Sequence, residues 1–304
     1  MKTKVIIPGG SGFIGKFMAD FFKEKNYEVV ILTRGTARKE HGIRYLNWDG
    51  KTFGDWIHEF ENAELVLNLA GKSVDCRYNE KNKKEITDSR VDSTAIVGKA
   101  IQNCKHPPAV WMNMSTSTIY EHTVEGKAND EYDGIIGDDF SMGVARIWER
   151  TFDECSTPST RKIILRTSIV LGKEGGAIKE LLPLVKLGLG GKNGSGKQYI
   201  SWVYEEDMKR IIYFLLKNKN SKGVYNIVST TPIRNALFMK KIRNAVGISI
   251  GLPATKWMIE IGTFFMRTES ELVLKSRKVV PRRLVEEGFE FDFEDLEEVL
   301  EKIV

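Results

Sequence analysis

The first thirty-four residues constrain the fold more than any other stretch of the chain. Val5-Ile6-Ile7 is an apolar run, and Gly9-Gly10-Ser11-Gly12-Phe13-Ile14-Gly15 follows at once. An amphipathic stretch runs from Phe17 to Lys25, and Glu28-Val29-Val30-Ile31-Leu32 then leads into Thr33-Arg34. That order reads as strand, glycine turn, helix, strand: the first half of a dinucleotide-binding fold. Each of the three spaced glycines has its own task. Gly9 permits the tight turn out of the strand, Gly12 lets the backbone approach a pyrophosphate, and Gly15 lets the helix pack closely. The whole turn, with Gly10, Ser11, Phe13 and Ile14 between them, is the expected cradle, since free N–H groups at a helix N-terminus attract an anion.

The end of the second strand selects the cofactor. Chains that bind NAD place Asp or Glu there, about twenty residues after the glycines, to hold the ribose 2′-hydroxyl. This chain has Thr33 and Arg34, with Arg38 close behind. No carboxylate repels a 2′-phosphate, and a guanidinium can grip one with a forked hydrogen bond. The expectation is NADP(H) over NAD(H); the plainer reading of Arg34 is a solvated surface residue.

Alternation of strand and helix continues beyond this point and predicts an α/β fold, a Rossmann-type doubly wound parallel sheet. Expected strands are Arg44 to Trp48, Leu65 to Leu69, Val110 to Met114 and Lys162 to Arg166. Expected helices are Glu80 to Gln102 and Phe140 to Glu154. After Arg166 the character changes, with dense glycine from Gly172 to Gly196 and fewer strands. Val224 to Val228 is expected to return to the sheet. The rest reads as a smaller, mainly helical lobe, with helices over Asn235 to Ala245, Lys256 to Phe265, Ser270 to Ser276 and Asp295 to Lys302. The expected division is a cofactor domain over residues 1–170 and a substrate lobe over 171–304, packed over the C-terminal ends of the strands, where ligands bind in such folds.

Composition narrows the function classes. At 304 residues, 41% hydrophobic and 29% charged, this is an ordinary globular chain with ample core. The net charge of +5 suits an anionic small molecule, while the densest basic run, Lys81 to Lys84, reads as a helix face and not a nucleic-acid patch. Three separated cysteines, Cys76, Cys104 and Cys155, argue against a disulfide framework or a metal site and fit a reducing cytoplasm. The chain starts directly on a strand, so no signal segment is expected. The apolar stretch Ile211 to Leu216 is too short to span a membrane. The expected partner is a small molecule, on a monomer or homodimer.

With Gly9-x-x-Gly12-x-x-Gly15, Asp49, Asn68-Leu69-Ala70-Gly71 and Ser115-Thr116-Ser117-Thr118-Ile119-Tyr120, the chain resembles the extended short-chain dehydrogenase/reductase family. More narrowly, it is similar to an atypical branch, that of nucleoside-diphosphate-sugar epimerases with a C-terminal domain of unknown function. The branch patterns recur here as Asp88-Ser89-Arg90, Trp148-Glu149, Arg166-Thr167-Ser168-Ile169-Val170-Leu171-Gly172, Gly188-Leu189-Gly190-Gly191, Gly194-Ser195-Gly196-Lys197-Gln198, Ser201-Trp202-Val203 and Pro281-Arg282-Arg283-Leu284. The resemblance implies that Asp49 meets the adenine, that Ala70 and Gly71 lie against the cofactor ribose with Leu69 also binding the cofactor, and that Ser115 to Ser117 line the nicotinamide site.

One departure stands out. The wider family uses a Tyr-x-x-x-Lys pair on the helix after the fifth strand, where the Lys lowers the phenol pKa and the phenol moves the proton. The corresponding helix here reads Phe140-Ser141-Met142-Gly143-Val144. The one Tyr-x-x-x-Lys present, Tyr213 with Lys217, falls too late in the chain and reads as chance. Candidate substitutes are Ser115, Thr116 and Ser117, which can polarise a carbonyl or merely cap a strand end, and Tyr120 or His122, which can act as an acid or merely pack. Arg90 can bind an anion or pair with a carboxylate. Asp207 is expected to cap a helix. The P-loop-like run Gly191 to Lys197 is rejected, because Gln198 replaces the required Ser or Thr and a strand-like segment follows. Two functions remain open: an NADP(H)-dependent oxidoreductase or epimerase acting on a small carbonyl or nucleotide-sugar, and a non-catalytic NADP-binding sensor.

Overall fold

Strand β-branched runs and helix periodicity sort the chain into a layered α/β body. The structure, a computed structural model, describes residues 3–260 and 269–304. The first strand, β1 (Lys4–Pro8), leads through the glycine turn to α1 (Phe13–Glu24) and β2 (Glu28–Thr33). A short hairpin, β3 (Arg38–Glu40) and β4 (Ile43–Asn47), follows, then β5 (Ala63–Asn68), α2 (Glu80–Gln102), β6 (Val110–Thr116), α3 (Phe140–Glu154) and β7 (Arg161–Thr167). Helix α2 starts where the Asn79 side chain accepts from the Asn82 N–H at 2.8 Å, and α3 where Asp139 accepts from the Met142 N–H at 2.9 Å. These are ordinary N-caps, supplying acceptors to donors that the first helical turn leaves free.

The main sheet has eight strands in the order β11-β7-β6-β5-β1-β2-β4-β3, with β11 formed by Gly223–Ile227. It is parallel except where β3 folds back on β4. The chain runs outward from β1 through β2 to β4, then returns to the other side of β1 with β5. That reversal opens a crevice at the C-terminal ends of β1 and β5, the place where such sheets bind ligands. Strand side chains alternate between two cores. Val5, Ile7, Val29, Ile31, Leu65 and Leu67 face α1, while Ile6, Val30 and Val66 face α2. Both faces are thus covered, as a parallel sheet requires.

The later chain is less segregated than the sequence suggests. Strand β8 (Ile169–Leu171) pairs with β10 (Trp202–Tyr204), and β9 (Tyr199–Ile200) pairs with β12 (Ile233–Arg234), two small sheets that the sequence reading lacks. Helix α4 (Ala177–Lys186), α6 (Asn235–Ala245) and the terminal helix Leu296–Ile303 enclose a third core around Trp202 and Phe238. Between them, α5 (Glu205–Lys217) and β11 (Gly223–Ile227) return to the main body, and Met208, Ile211 and Leu215 join its core. The expected helix from Lys256 is present at 256–260, and its continuation to Phe265 lies outside the described residues. A short helix at Glu271–Leu274 stands where Ser270 to Ser276 is expected.

Candidate functional site

The glycine turn is built as its spacing requires. Gly9 has φ +74°, and a Cβ there would lie 2.6 Å from the Ala70 Cα, so both conformation and space demand glycine. A Cβ on Gly15 would fall 2.3 Å from the Gly10 backbone; this glycine lets α1 pack on the turn itself. Gly12 is different. A Cβ there meets only the Gly9 carbonyl oxygen, at 3.9 Å, and otherwise projects into open space. No side chain caps α1, and its first turn holds no acid. At the tip of β2 the Thr33 hydroxyl donates to Ser11 Oγ at 3.1 Å, tying strand end to turn. Arg34 is exposed. Arg38 pairs with Glu40 at 3.0 Å and stacks on the Tyr45 ring. Asp49 closes its own turn, accepting from the Lys51 and Thr52 N–H groups, which hold its carboxyl down at about 2.

A cavity of about 390 Å³ opens beside this turn, over the ends of β5, β6 and β7. Leu69, Ala70 and Gly71 form one wall, Ser115, Thr116 and Ser168 the floor, and Phe140, Ser141 and Val144 of α3 the far wall. Arg90 reaches in from α2. Its guanidinium donates to the Lys72 and Ile86 carbonyls, both at 3.0 Å, and lies 5.0 Å from the Trp148 ring. Burial pulls it down to about 10, so it is charged at neutral pH. No carboxylate among the described residues forms an ion pair with it. Ser168 Oγ is buried and has no hydrogen-bond partner among the described residues. A buried hydroxyl without a partner is costly, and Ser168 is one of the residues that line the cavity.

The floor is held by a closed polar network. Ser115 donates to Glu149 at 2.5 Å, and Arg166 binds the same carboxylate through two nitrogens, at 2.9 and 2.7 Å. Burial works against the Arg166 charge, but the Glu149 carboxylate outweighs it and holds the guanidinium above its ordinary value. Arg166 also donates to the Tyr120 hydroxyl, which donates to Asn226 at 3.0 Å.

The rim is a second network. Tyr78, on the loop before α2, lines the cavity with its ring 5.0 Å from that of Phe140. Its backbone N–H donates to Glu269 at 2.7 Å. Burial pushes the phenol up to about 12, with hydrogen bonding to Ser141 acting the other way. Ser141 donates in turn to Glu271, and Lys275 bridges Glu271 and Asp139.

The structure brings Ser115 and Thr116 to the cavity and places the other candidates, Tyr120, Ser117, His122 and Asp207, elsewhere. Tyr120 is fully buried behind the floor, with its hydroxyl engaged by Arg166 and Asn226, so it is a strut and not an acid at the site. Ser117 is buried at the start of a 3₁₀ turn and does not reach the cavity wall. His122 also points elsewhere, its Nδ1 accepting from the Ser276 N–H at 2.6 Å. Asp207 caps no helix; it accepts from the Asp292 and Phe293 N–H groups and pins the C-terminal segment. Lys217 donates to Tyr27 and Glu64 and lines no part of the cavity. In the P-loop-like run the Gly191, Asn193, Gly194 and Gly196 N–H groups all donate to the chain's own oxygens. Tyr78, Glu149, Ser168 and Glu271 are the residues that sequence reasoning gave no role. Glu149 and Ser168 lie within quoted branch patterns, and Tyr78 follows the Leu69-Ala70-Gly71 wall by a few residues; Glu271 carries no local signal.

Fold and crevice define an α/β protein of the dinucleotide-binding class. Residues 5–141 match the profile of the NAD dependent epimerase/dehydratase family, and residues 254–303 match a domain of unknown function, DUF1731. The chain is 31% identical over 309 residues to an epimerase family protein of Staphylococcus saprophyticus, covering 98% of each. It is 28% identical to the human epimerase family protein SDR39U1 over 305 residues, 99% of each chain. A crystal structure of that human protein (isoform 2) with NADPH superposes with a TM-score of 0.87 at 29% identity, covering 99% of both chains. UDP-glucuronic acid 4-epimerase of Bacillus cereus, solved with UDP-glucuronic acid and NAD, shares the fold at a TM-score of 0.79 and 15% identity, covering 99% of this chain and 98% of that one. The chain belongs to the epimerase/dehydratase family, in its extended short-chain dehydrogenase/reductase form with the DUF1731 C-terminal segment. No described helix is long and apolar enough to cross a membrane, and no described cluster of His, Cys, Asp and Glu has the arrangement of a metal site.

Proposed function

We propose that this chain is an NADP(H)-dependent oxidoreductase or epimerase acting on a small carbonyl or a nucleotide-sugar. The observation that carries the reading is the cradle beside Gly12. The N-terminus of α1 has no side-chain cap, and the one direction in which a Gly12 Cβ would project is open. A pyrophosphate fits such a place by charge and by space. The orphan hydroxyl of Ser168 supports a polar ligand in the adjoining cavity. The NADPH bound by the human relative supports the choice of dinucleotide.

On this reading the turn from Gly9 to Gly15 holds the pyrophosphate, Arg34 and Arg38 meet the 2′-phosphate, Asp49 meets the adenine, and Leu69, Ala70 and Gly71 line the ribose. Arg90, a cation with no carboxylate partner among the described residues, faces an anionic group. The nicotinamide supplies or takes a hydride when bound. Ser115 and Thr116 orient the reacting carbonyl from the floor. The C-terminal segment, through Glu269 and Glu271, closes the rim as a substrate lobe. Phe140, in place of a helical tyrosine, favours the second reading, a sensor that binds NADP without turnover.

Calorimetric titration with NADPH and NADH tests the proposal. NADPH is expected to bind at least about tenfold more tightly, a difference of about 1.4 kcal/mol, and Arg34→Ala to erase that preference. Equal affinities for the two would refute the assignment. Product analysis with small carbonyls, quinones and nucleotide-sugars then separates enzyme from sensor: tight NADPH binding without conversion of any of them favours the sensor.

A further inference from the structure

We propose that Tyr78 carries the proton in this cavity, giving its phenolic hydrogen to the carbonyl oxygen of the substrate, with Ser141 and Glu271 replenishing it; this rests on the oxidoreductase or epimerase reading above. Ser115 is an aliphatic alcohol that donates to Glu149, in a network whose ion pair is almost closed to solvent. Thr116 and Thr118 are aliphatic alcohols, which can orient a carbonyl but are far weaker acids than a phenol. Lys72 is tied to Asn82 at 2.7 Å and to Glu85. Tyr78 is the phenol on the cavity wall.

Its placement is specific. Glu269 holds its backbone, and Phe140 holds its ring edge-on. The phenol of Tyr78 therefore stands against the helix position that Phe140 leaves without a proton, but it arrives from a different element. Behind it lies a route to solvent. Ser141 is hydrogen-bonded to Glu271, and Glu271 accepts from Lys275 at 2.7 Å, whose side chain is 26% exposed. The segment matched as a domain of unknown function thus contributes two of the residues in the route.

The step balances. The cofactor's hydride reaches the carbonyl carbon as the C=O π bond breaks and the oxygen takes the Tyr78 proton, giving an alcohol and the oxidised cofactor. The phenolate recovers a proton from Ser141, whose hydroxyl turns to it from Glu271; the Lys275 ammonium, which donates to the same carboxylate, passes a proton through Glu271 to Ser141 in the same movement and is reprotonated by water. In the reverse direction the same groups run as a base. The charged and titratable groups around the phenol are Arg90 from α2, Cys76 on its own loop, and Glu269, Glu271, Lys275 and Arg277 from the C-terminal segment. Among them Arg90 favours the phenolate and Glu271 opposes it, while burial keeps the proton on until a substrate takes it.

Tyr78→Phe keeps the ring and removes the acid. The first readout is the ultraviolet signal of tyrosinate, wild type minus Tyr78→Phe, titrated with and without saturating NADP+. A positive nicotinamide ring held in the cavity that Tyr78 lines would move that ionisation down by about one pH unit or more, a tenfold gain in acidity. The second readout is turnover of whichever carbonyl probe the wild type converts, which should fall about 100-fold or more, while NADPH affinity is unchanged. An ionisation that NADP+ leaves in place, or full turnover by Tyr78→Phe, overturns the proposal while leaving NADP(H) binding intact. Failure of both proteins to bind NADPH would instead bring down the reading on which it rests.

Discussion

Floor and rim of the cavity are both chains of hydrogen bonds, yet they are built for opposite ends. The floor network, Ser115-Glu149-Arg166-Tyr120-Asn226, is closed: each member has its partners, and Glu149 and Arg166 are only 10% and 11% exposed. The rim network, Tyr78-Ser141-Glu271-Lys275-Asp139, is open at the cavity and at solvent. Its ion pairs are 20–28% exposed. A saturated buried network fixes geometry, because any broken link leaves a desolvated group behind. An open one can gain and lose protons. Sequence reasoning named the floor tyrosine, Tyr120, as one of several candidates that act as an acid or merely pack, and the contrast explains why the rim tyrosine fits the acid's role better.

Stability measurements test whether floor and rim differ in this way. The largest effect expected is that of Glu149→Ala, which strands the Arg166 guanidinium in the interior and removes the acceptor of Ser115. The cost should be about 3–5 kcal/mol, read from chemical denaturation. A loss under about 1 kcal/mol would mean the floor behaves like a surface pair, and the distinction would fail. Tyr120→Phe comes next. It leaves an Arg166 donor and the Asn226 carbonyl without partners, at about 1–3 kcal/mol, with NADPH affinity unchanged. Tyr78→Phe, on the rim, should stay within about 1 kcal/mol. Equal losses for the two tyrosines would erase the difference between strut and proton carrier.

Legibility follows the same division. The glycine turn could be read directly because its logic is local: strand, turn and helix lie within a few residues, and the clash of a Gly9 Cβ with Ala70 needs only one further strand. The main strands and both long helices were legible from periodicity, as was the arrival of Ser115 and Thr116 at a strand end. The function of Tyr120 was not, since its partners come from β7 and β11, and their register is invisible in a linear chain. Tyr78 was missed for a related reason. Its anchor, Glu269, is 191 residues away, and Ser141 and Glu271 are separated by 130. The small sheets β8–β10 and β9–β12 escaped because runs of two or three residues carry no period to detect.

A smaller effect, read through pH, bears on the rim alone. Burial raises the Asp139 carboxyl, but the Lys275 ammonium and the Met142 N–H outweigh it and hold it below the usual carboxylate range. A carboxyl with a lower pKa folded than unfolded binds fewer protons in the native state, so stability rises with pH through that window. The contribution is complete above the unfolded value, about 3.9, and is lost as pH falls through the folded one. Asp139→Asn isolates it, because Asn still caps α3 but cannot pair with Lys275. The wild type should exceed this variant by about 0.5–1 kcal/mol near neutrality, a modest figure because both side chains are over a quarter exposed. The gap should close as the solution is acidified below pH ~4. A gap that persists unchanged into strong acid would show that the Asp139 charge is not what Lys275 holds, and the rim would then be as closed to protons as the floor.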